Sequence, residues 1–200
     1  MRKHERVSFW LGIGLAAAMS LGQVACAKPL NKTAPGGVER TRAERLERPG
    51  CPNLYRVSPT LYRGAQPTAE GMRELRKLGV KTVVNLRSFH SDRDLIGDTG
   101  LTYEHIYMKA WHPEDEEVAR FLKIVTDEKR APVFVHCQHG VDRTGTMCAI
   151  YRAAVQGWDK EAAIDEMVNG GFGFHQIWQN LVEYIRDLDL GKIKREAGRK

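Results

Sequence analysis

Apolar residues along this chain form two kinds of pattern. Short apolar runs at residues 80–86, 103–108 and 132–137 are too short for helices and indicate buried strands. Apolar positions at helical spacing follow them, at residues 111–130 and 144–156. Because strands and helices alternate, the pattern predicts an α/β domain whose central, mostly parallel sheet of about four to five strands is flanked by helices.

Turn and capping residues place the remaining elements. Tyr55 to Val57 and Leu61 to Arg63 are predicted strands joined by a turn at residues 58–60, and a polar loop is predicted at residues 87–100. Three further helices are predicted: Thr68 to Leu78, Asp159 to Asn169, and Phe174 to Leu190. These elements predict one folded domain over residues 51–190.

The start of the chain has the shape of a signal peptide. A basic segment precedes a stretch without charge from Val7 to Ala27, and small residues lie at its end. Ala25-Cys26-Ala27 offers a cleavage site, so residues 1–27 are the predicted signal peptide. Val24-Ala25-Cys26 also partly matches a lipobox, in which Cys26 would be lipidated, but Gln23 stands where a lipobox prefers leucine. We expect export to the periplasm or beyond, with simple secretion favoured over a lipid anchor on Cys26 and over an uncleaved membrane anchor.

Composition and charge add limits to this picture. The chain has 200 residues, 42% hydrophobic and 28% charged, which fits one soluble domain. Residues 28–50 are rich in Pro, Gly, Arg and Glu and are a predicted flexible linker, and residues 191–200 are a predicted basic tail. The net charge of +6 suits an anionic substrate. Since no Lys/Arg block is interleaved with aromatics, we expect no nucleic-acid partner, and we expect a monomer.

A cysteine and an arginine lie five residues apart between a predicted strand and a predicted helix. The segment reads Val135-His136-Cys137-Gln138-His139-Gly140-Val141-Asp142-Arg143-Thr144-Gly145. Backbone N–H groups in such a loop, aimed by the N-terminus of the next helix, present partial positive charge to phosphoryl oxygens. Gly140 allows the sharp bend. The predicted phosphate-binding residues are Gln138, His139, Gly140, Val141, Asp142 and Arg143.

The same field favours a charged nucleophile at the base of the loop. Helix N-termini and cationic neighbours lower the pKa of a cysteine to about 3.5–7.5, so Cys137 is predicted to be a thiolate. The planar guanidinium of Arg143 matches two phosphoryl oxygens at once, which lysine does not. Thr144 is placed to donate its hydroxyl to the Cys137 sulfur, and His136 is predicted to orient the loop by hydrogen bonds.

These residues resemble the signature of the cysteine-dependent protein tyrosine phosphatase superfamily: His-Cys, five residues, Arg, then Ser or Thr. The Asp-Arg-Thr-Gly ending and the segments that begin at Leu61 and Lys81 are similar to bacterial members of the atypical dual-specificity group. The resemblance covers about residues 54–188. It implies a tyrosine/dual-specificity phosphatase fold and a two-step hydrolysis of a phosphorylated protein or small phosphorylated substrate, without a metal or other cofactor.

The residue that protonates the leaving group is left open between two aspartates. The resemblance implies an Asp on a mobile loop upstream of the nucleophile, and Asp115 is the best-placed candidate there. Asp142 is an equal candidate, because myotubularin-type phosphatases share the Gly-x-Asp-Arg-Thr pattern and are thought to use that Asp. Alternatively, Asp115 stabilises a helix N-terminus and Asp142 shapes the loop. Three further aspartates in the polar loop stay open: Asp92, Asp94 and Asp98.

Other readings of the same residues are less well supported. A rhodanese-type loop is one residue shorter, and adjacent His136 and Cys137 point to opposite faces of a strand, which disfavours a metal site. The alternatives that stay open are an inositol phosphate or phosphoinositide phosphatase and an inactive phosphate-binding homologue. Arg63, Arg87 and Lys109 follow strands and are rim candidates, although surface solvation is the simpler role.

Two further cysteines bear on the chemistry of Cys137. Cys51 or Cys148 is a candidate partner for a reversible disulfide with Cys137 in an oxidising compartment. A small core residue is the more common role for a cysteine on a helix, which favours burial for Cys148.

Overall fold

A six-stranded sheet forms the centre of the protein. The computed structural model describes residues 40–198. The strands are β1 Glu44–Arg45, β2 Tyr55–Ser58, β3 Leu61–Gly64, β4 Thr82–Asn85, β5 Thr102–His105 and β6 Val133–His136. Their order is β1-β2-β3-β6-β4-β5, with β3, β6, β4 and β5 parallel and β1 and β2 antiparallel at one edge. The predicted α/β class with a mostly parallel sheet is confirmed, with six strands instead of four to five.

Helices cover both faces of this sheet. They are α1 Ala69–Lys77, α2 Arg93–Ile96, α3 Asp115–Val125, α4 Asp142–Ala154, α5 Lys160–Asn169, α6 Gln179–Asp187 and α7 Leu190–Glu196. Neighbouring residues of β4 face opposite sides, as strand geometry requires. Val83 packs in a cluster with residues of α1 and α2, whereas Val84 packs in the larger cluster with residues of α3 to α7.

The capping residues explain where several helices begin. The Thr68 side chain accepts a hydrogen bond from the Gly71 N–H, and the Asp159 side chain accepts from the Glu161 N–H, so both predicted caps are confirmed. Asp189 accepts from the Lys192 N–H in the same way. The single helix predicted for residues 174–190 is instead a 3-10 turn at Gln176–Trp178 followed by α6, and the Asp189 cap begins the separate helix α7.

The folded region extends beyond the predicted limits at residues 51 and 190. β1, which lies inside the predicted linker, pairs with β2, and α7 occupies most of the predicted basic tail. Ile193 of α7 is fully buried in the larger apolar cluster. The predicted signal peptide and residues 28–39 of the linker lie outside the described residues. Between residues 40 and 198, no helix has the length and apolar character needed to cross a membrane.

Boundaries near the phosphate-binding segment also differ from the sequence prediction. The strand predicted at residues 103–108 ends at His105, and α2 lies inside the predicted polar loop. The helix predicted from residue 111 begins only at Asp115, where the Glu117 carboxylate accepts a hydrogen bond from the Glu114 N–H. Residues 106–114 are therefore a loop at the carboxyl end of β5.

Candidate active site

The segment from Cys137 to Arg143 connects the central strand β6 to α4. β6 lies between β3 and β4, so Gly64 and Asn85 pair with His136 at the same edge of the sheet. Gly140 has a φ of +70°, a left-handed conformation that glycine adopts easily. We call residues 137–143 the phosphate loop. α4 begins at Asp142, two residues earlier than predicted, and its N-terminus therefore points into this loop.

Cys137 lies at the base of the phosphate loop, with only 3% of its surface exposed. Burial alone would raise the pKa of its thiol, yet the Thr144 hydroxyl, the N–H groups of Thr144 and Val141 and the Arg143 guanidinium together lower that pKa. The Thr144 hydroxyl is buried and has no hydrogen bond of standard geometry among the described residues. It is therefore free to turn toward the sulfur when the thiolate forms.

Arg143 is held in place by two carbonyl groups from neighbouring loops. Its Nη1 atom donates to the carbonyl oxygens of Leu86 and Met108, at 3.2 and 3.3 Å. These carbonyls follow β4 and β5, so the strand ends fix one side of the guanidinium. The structure thus brings Cys137, Arg143 and Thr144 together, as the sequence predicts.

Arg63 of β3 supports the phosphate loop from behind. It is 2% exposed, its Nη2 atom donates to the Gly140 carbonyl at 2.7 Å, and its guanidinium lies 3.8 Å above the Phe172 ring. Both roles suggested by the sequence, substrate contact and surface solvation, are wrong for this residue. Nothing in the local sequence indicates the contact, because 77 residues separate the two partners.

His136 and Asp92 form a buried pair beside the nucleophile. The His136 Nε2 atom lies 2.6 Å from Asp92 Oδ2, and both side chains are inaccessible to solvent. Gln66 donates to the other carboxylate oxygen at 2.8 Å. Burial would raise the pKa of Asp92, but the bonds from His136 and Gln66 lower it. Asp92 is therefore an acceptor that orients His136 and is not available as a proton donor.

Asp115, one of the two favoured acids, lies away from the phosphate loop. Its carboxylate accepts hydrogen bonds from Lys192 Nζ at 2.7 Å and from the Tyr184 hydroxyl at 3.0 Å. The Lys192 ammonium holds the pKa of Asp115 below its usual value. Asp115 lies in the first turn of α3, as the alternative role at a helix N-terminus requires, and its two contacts also connect α3 to α6 and α7. Asp94 and Asp98 are exposed, in α2 and directly after it.

Asp142, the other favoured acid, is tied to a histidine that sequence reasoning missed. Its Oδ1 atom accepts the His175 N–H at 3.1 Å, and its Oδ2 atom lies 2.8 Å from His175 Nδ1. The rings of His175 and His139 meet edge to face at 6.0 Å. His175 therefore lies against the phosphate loop, on the segment that joins α5 to α6.

A cleft of about 630 Å³ opens above Arg143. Gln138 and Arg143 belong to the phosphate loop, and the other lining residues come from the segments after β4 and β5. The full lining is Arg87, Ser88, Phe89, Tyr107, Lys109, Ala110, Trp111, Gln138 and Arg143. None of these lining residues carries a carboxylate, and two of the rim candidates, Arg87 and Lys109, are among them.

The other described cysteines are buried and free. Burial raises the pKa of the Cys51 and Cys148 thiols to about 11. Cys148 packs in the larger apolar cluster on α4, which agrees with the core role favoured by the sequence. Both thiols are thus chemically distinct from Cys137.

Comparisons with known proteins give matches to phosphatases. A family model described as a DSP-PTPase phosphatase fused to NAD+ kinase matches residues 55–183. The dual specificity protein phosphatase TpbA of Pseudomonas aeruginosa is 36% identical over 192 residues, which cover 96% of this chain and 86% of TpbA.

Two solved structures of P. aeruginosa TpbA have a similar fold. The crystal structure of TpbA is 38% identical, with a TM-score of 0.70 over 79% of this chain and 97% of TpbA. A complex of a TpbA variant with phosphotyrosine is 36% identical, with a TM-score of 0.70 over 80% and 97% of the two chains. The chain therefore belongs to the DSP-PTPase phosphatases of the cysteine-dependent protein tyrosine phosphatase superfamily.

Proposed function

We propose that the protein hydrolyses phosphotyrosine and phosphoserine or phosphothreonine in proteins through a cysteinyl-phosphate intermediate. The observation that carries this proposal is the Cys137 thiol, whose pKa is lowered at the base of a loop that also holds Arg143. A thiol whose pKa is lowered ionises more readily and depends less on a separate base. The similarity to TpbA, which has been crystallised with phosphotyrosine, supports the same substrate class.

The reaction divides into two displacements at phosphorus. In the first, the Cys137 thiolate forms the S–P bond while the bond to the leaving oxygen breaks and that oxygen takes up a proton. In the second, water forms the new P–O bond and gives up a proton while the S–P bond breaks. Arg143 and the loop N–H groups stabilise the oxygens throughout, and Thr144 stabilises the departing thiolate.

The Asp142 and His175 pair is the proposed route for the proton. Of the two favoured aspartates, Asp142 lies in the phosphate loop. Asp115 lies outside it, and its carboxylate is bound to Lys192 and Tyr184. Both oxygens of Asp142 are already engaged by His175, so the carboxylate orients the imidazole. In this scheme His175 donates the proton in the first step and accepts one from water in the second.

Variants of three residues separate these roles. His175→Gln and Asp142→Asn should each lower kcat by about 10²–10⁴-fold on a phosphotyrosine peptide, the range for general acid catalysis. Asp115→Asn is the matched control and should keep kcat within a few-fold of the unmodified protein. If Asp115→Asn lost activity and the other two variants kept it, the proton would have to pass through Asp115.

The covalent step has its own test. Rapid quenching of turnover under reducing conditions without metal should trap a phosphoryl group on Cys137, seen by mass spectrometry, and vanadate should inhibit. Cys137→Ser should give neither the adduct nor turnover, whereas Cys51→Ser, the same change at a cysteine outside the loop, should keep both. Turnover by Cys137→Ser equal to that of the unmodified protein would overturn the proposal.

Inositol phosphates are the second substrate class to test. The variable loop residues Gln138, His139 and Val141 include no lysine or arginine, whereas a highly phosphorylated ring would gain from several such cations. We therefore expect higher kcat/KM on phosphopeptides than on inositol phosphates in one panel. An inactive homologue would bind phosphate or vanadate but turn over no member of the panel.

We also propose that the protein is exported and acts as a monomer. The basic start, the uncharged run from Val7 to Ala27 and the small residues Ala25-Cys26-Ala27 support a cleaved signal peptide. The intact mass of the protein from a periplasmic fraction should fit a chain that begins at Lys28. A mass that carries lipid on Cys26 would favour the lipoprotein, and retention of the whole chain in the cytoplasm would contradict export.

A further inference from the structure

Three exposed aromatic side chains surround the mouth of the catalytic cleft. Phe89 follows β4, and Tyr107 and Trp111 follow β5, with 102%, 66% and 60% of their surfaces exposed. All three line the same cleft as Arg143. We call Phe89, Tyr107 and Trp111 the aromatic rim. Exposed apolar side chains that line one cleft together are typical of an interaction site, whereas apolar residues scattered singly over a surface are common.

The backbone that carries the rim is already fixed. The Ser88 hydroxyl donates to the Met108 carbonyl at 2.9 Å, and Asn180 of α6 donates to the Trp111 carbonyl at 2.7 Å. The Tyr107 ring stacks on His105 with centroids 3.9 Å apart. A ligand that binds here therefore orders little of the protein, which lowers the entropic cost of association.

Two cations lie among these aromatics. Arg87 and Lys109 both line the cleft. Arg87 Nη1 donates to Gln66 Oε1 at 2.9 Å, and Lys109 Nζ is 3.5 Å from Glu114 on the exposed surface. Phosphate itself is taken up by the phosphate loop. Gln66 is neutral and the Lys109–Glu114 contact is long and exposed, so both residues can still attract negative charge near the phosphorylated residue. The rim thus combines apolar contact with positive charge.

We propose that the aromatic rim binds the polypeptide on either side of the phosphorylated residue and selects protein segments with an apolar or aromatic neighbour and an acidic neighbour. This inference rests on the proposed phosphatase function and deepens it. A membrane surface is the competing partner for exposed aromatics and cations. The rim instead encloses a cleft of about 630 Å³ that leads to Arg143, and a concave opening suits a chain segment better than a flat lipid face.

The test compares two phosphotyrosine peptides with p-nitrophenyl phosphate, which reaches the phosphate loop but does not span the rim. One peptide has Leu and Glu next to the phosphotyrosine, and the other has Gly and Lys. The unmodified protein should prefer the first peptide. In Phe89→Ser and Trp111→Ser, the kcat/KM for the first peptide relative to that for p-nitrophenyl phosphate should fall about tenfold, the scale of one lost aromatic contact.

Ile177→Ser is the matched control, because Ile177 is 80% exposed and does not line the cleft. It should keep the preference for the first peptide. Equal kcat/KM for both peptides in the unmodified protein, or an unchanged ratio in both rim variants, would overturn the inference. So would rim variants that lose binding to anionic lipid vesicles but keep the peptide preference. Absence of turnover on all three substrates would instead count against the phosphatase function itself.

Discussion

Gly140 is the residue whose lack of a side chain most directly shapes the phosphate loop. Its φ of +70° is strained for other residues, and an added Cβ would lie 2.3 Å from the Gly64 carbonyl carbon and oxygen. That neighbour is the backbone of β3, which has no room to move because it pairs with β6. Any larger residue here must displace the loop from its strand.

Gly140→Ala should therefore lower kcat/KM by more than its loss of folding stability would explain. A displacement of about 1 Å in a catalytic group costs about 10²-fold in rate, so we expect at least that loss in kcat/KM. Gly79→Ala is the control, since Gly79 has a φ of +86° but no atom within 4 Å of the added Cβ. It should cost stability, measured by urea unfolding, and keep turnover. Equal kcat/KM losses in both variants would show that the close approach to Gly64 is unimportant.

The thiol of Cys137 gives a second prediction at this scale. Because its pKa is lowered, its alkylation by iodoacetamide should rise with pH through that low pKa and level off before an ordinary thiol has ionised. Thr144→Val removes the hydroxyl that favours the anion and should move this rise to higher pH. Cys51 and Cys148, with a raised pKa of about 11, should stay unmodified near neutral pH. An unshifted profile in Thr144→Val would contradict the assigned role of the hydroxyl.

At the scale of elements, β3 holds the phosphate loop through a single side chain. Arg63 reaches from the strand to the Gly140 carbonyl, and its guanidinium also packs on Phe172, which follows α5. One arginine thus connects β3, the phosphate loop and the segment that carries His175. It is a positioning residue, since it contacts the loop that binds phosphate.

Arg63→Met keeps most of the side-chain volume but removes the donor to Gly140. We expect the vanadate inhibition constant to rise about tenfold and stability to fall by about 1–3 kcal/mol, the cost of an unpaired buried carbonyl. Arg56→Met on β2 is the control, because Arg56 pairs with Glu44 on the surface, where such a pair contributes little to stability. A stability loss without any change in vanadate inhibition would reduce Arg63 to a purely structural residue.

Sequence patterns predicted the elements near the nucleophile but few of their partners. The apolar run of β6, the Gly-containing loop and the helix after Arg143 are local signals, and so is the Thr68 cap. By contrast, Asp92 meets His136 across 44 residues, and Asp115 meets Lys192 across 77. Such pairs depend on how elements pack, which spacing along the chain does not encode. The helix start at Asp189 is different, because an aspartate that caps a helix is a local signal and could have been predicted from the sequence.

The whole molecule places its chemistry at one edge of the sheet. The segments after β4, β5 and β6 all supply cleft residues, and these strands are parallel, so their carboxyl ends meet. β6 lies between β3 and β4, with neighbours that both precede it in sequence. Ligand sites in open α/β sheets form at such positions because connections leave the central strand end uncovered.

The last prediction concerns α7, near the C-terminus, because this helix packs in the core. Ile193 is fully buried, and Lys192 beside it holds Asp115 of α3. Ile193→Ala should lower the free energy of unfolding by about 2–5 kcal/mol, as large-to-small core substitutions do. Ile177→Ala removes the same atoms from a side chain that is 80% exposed, and should change it by less than about 0.5 kcal/mol. Urea unfolding of both variants decides whether the domain ends at residue 190 or includes α7. If α7 were part of an unfolded tail, neither substitution would change the free energy of unfolding.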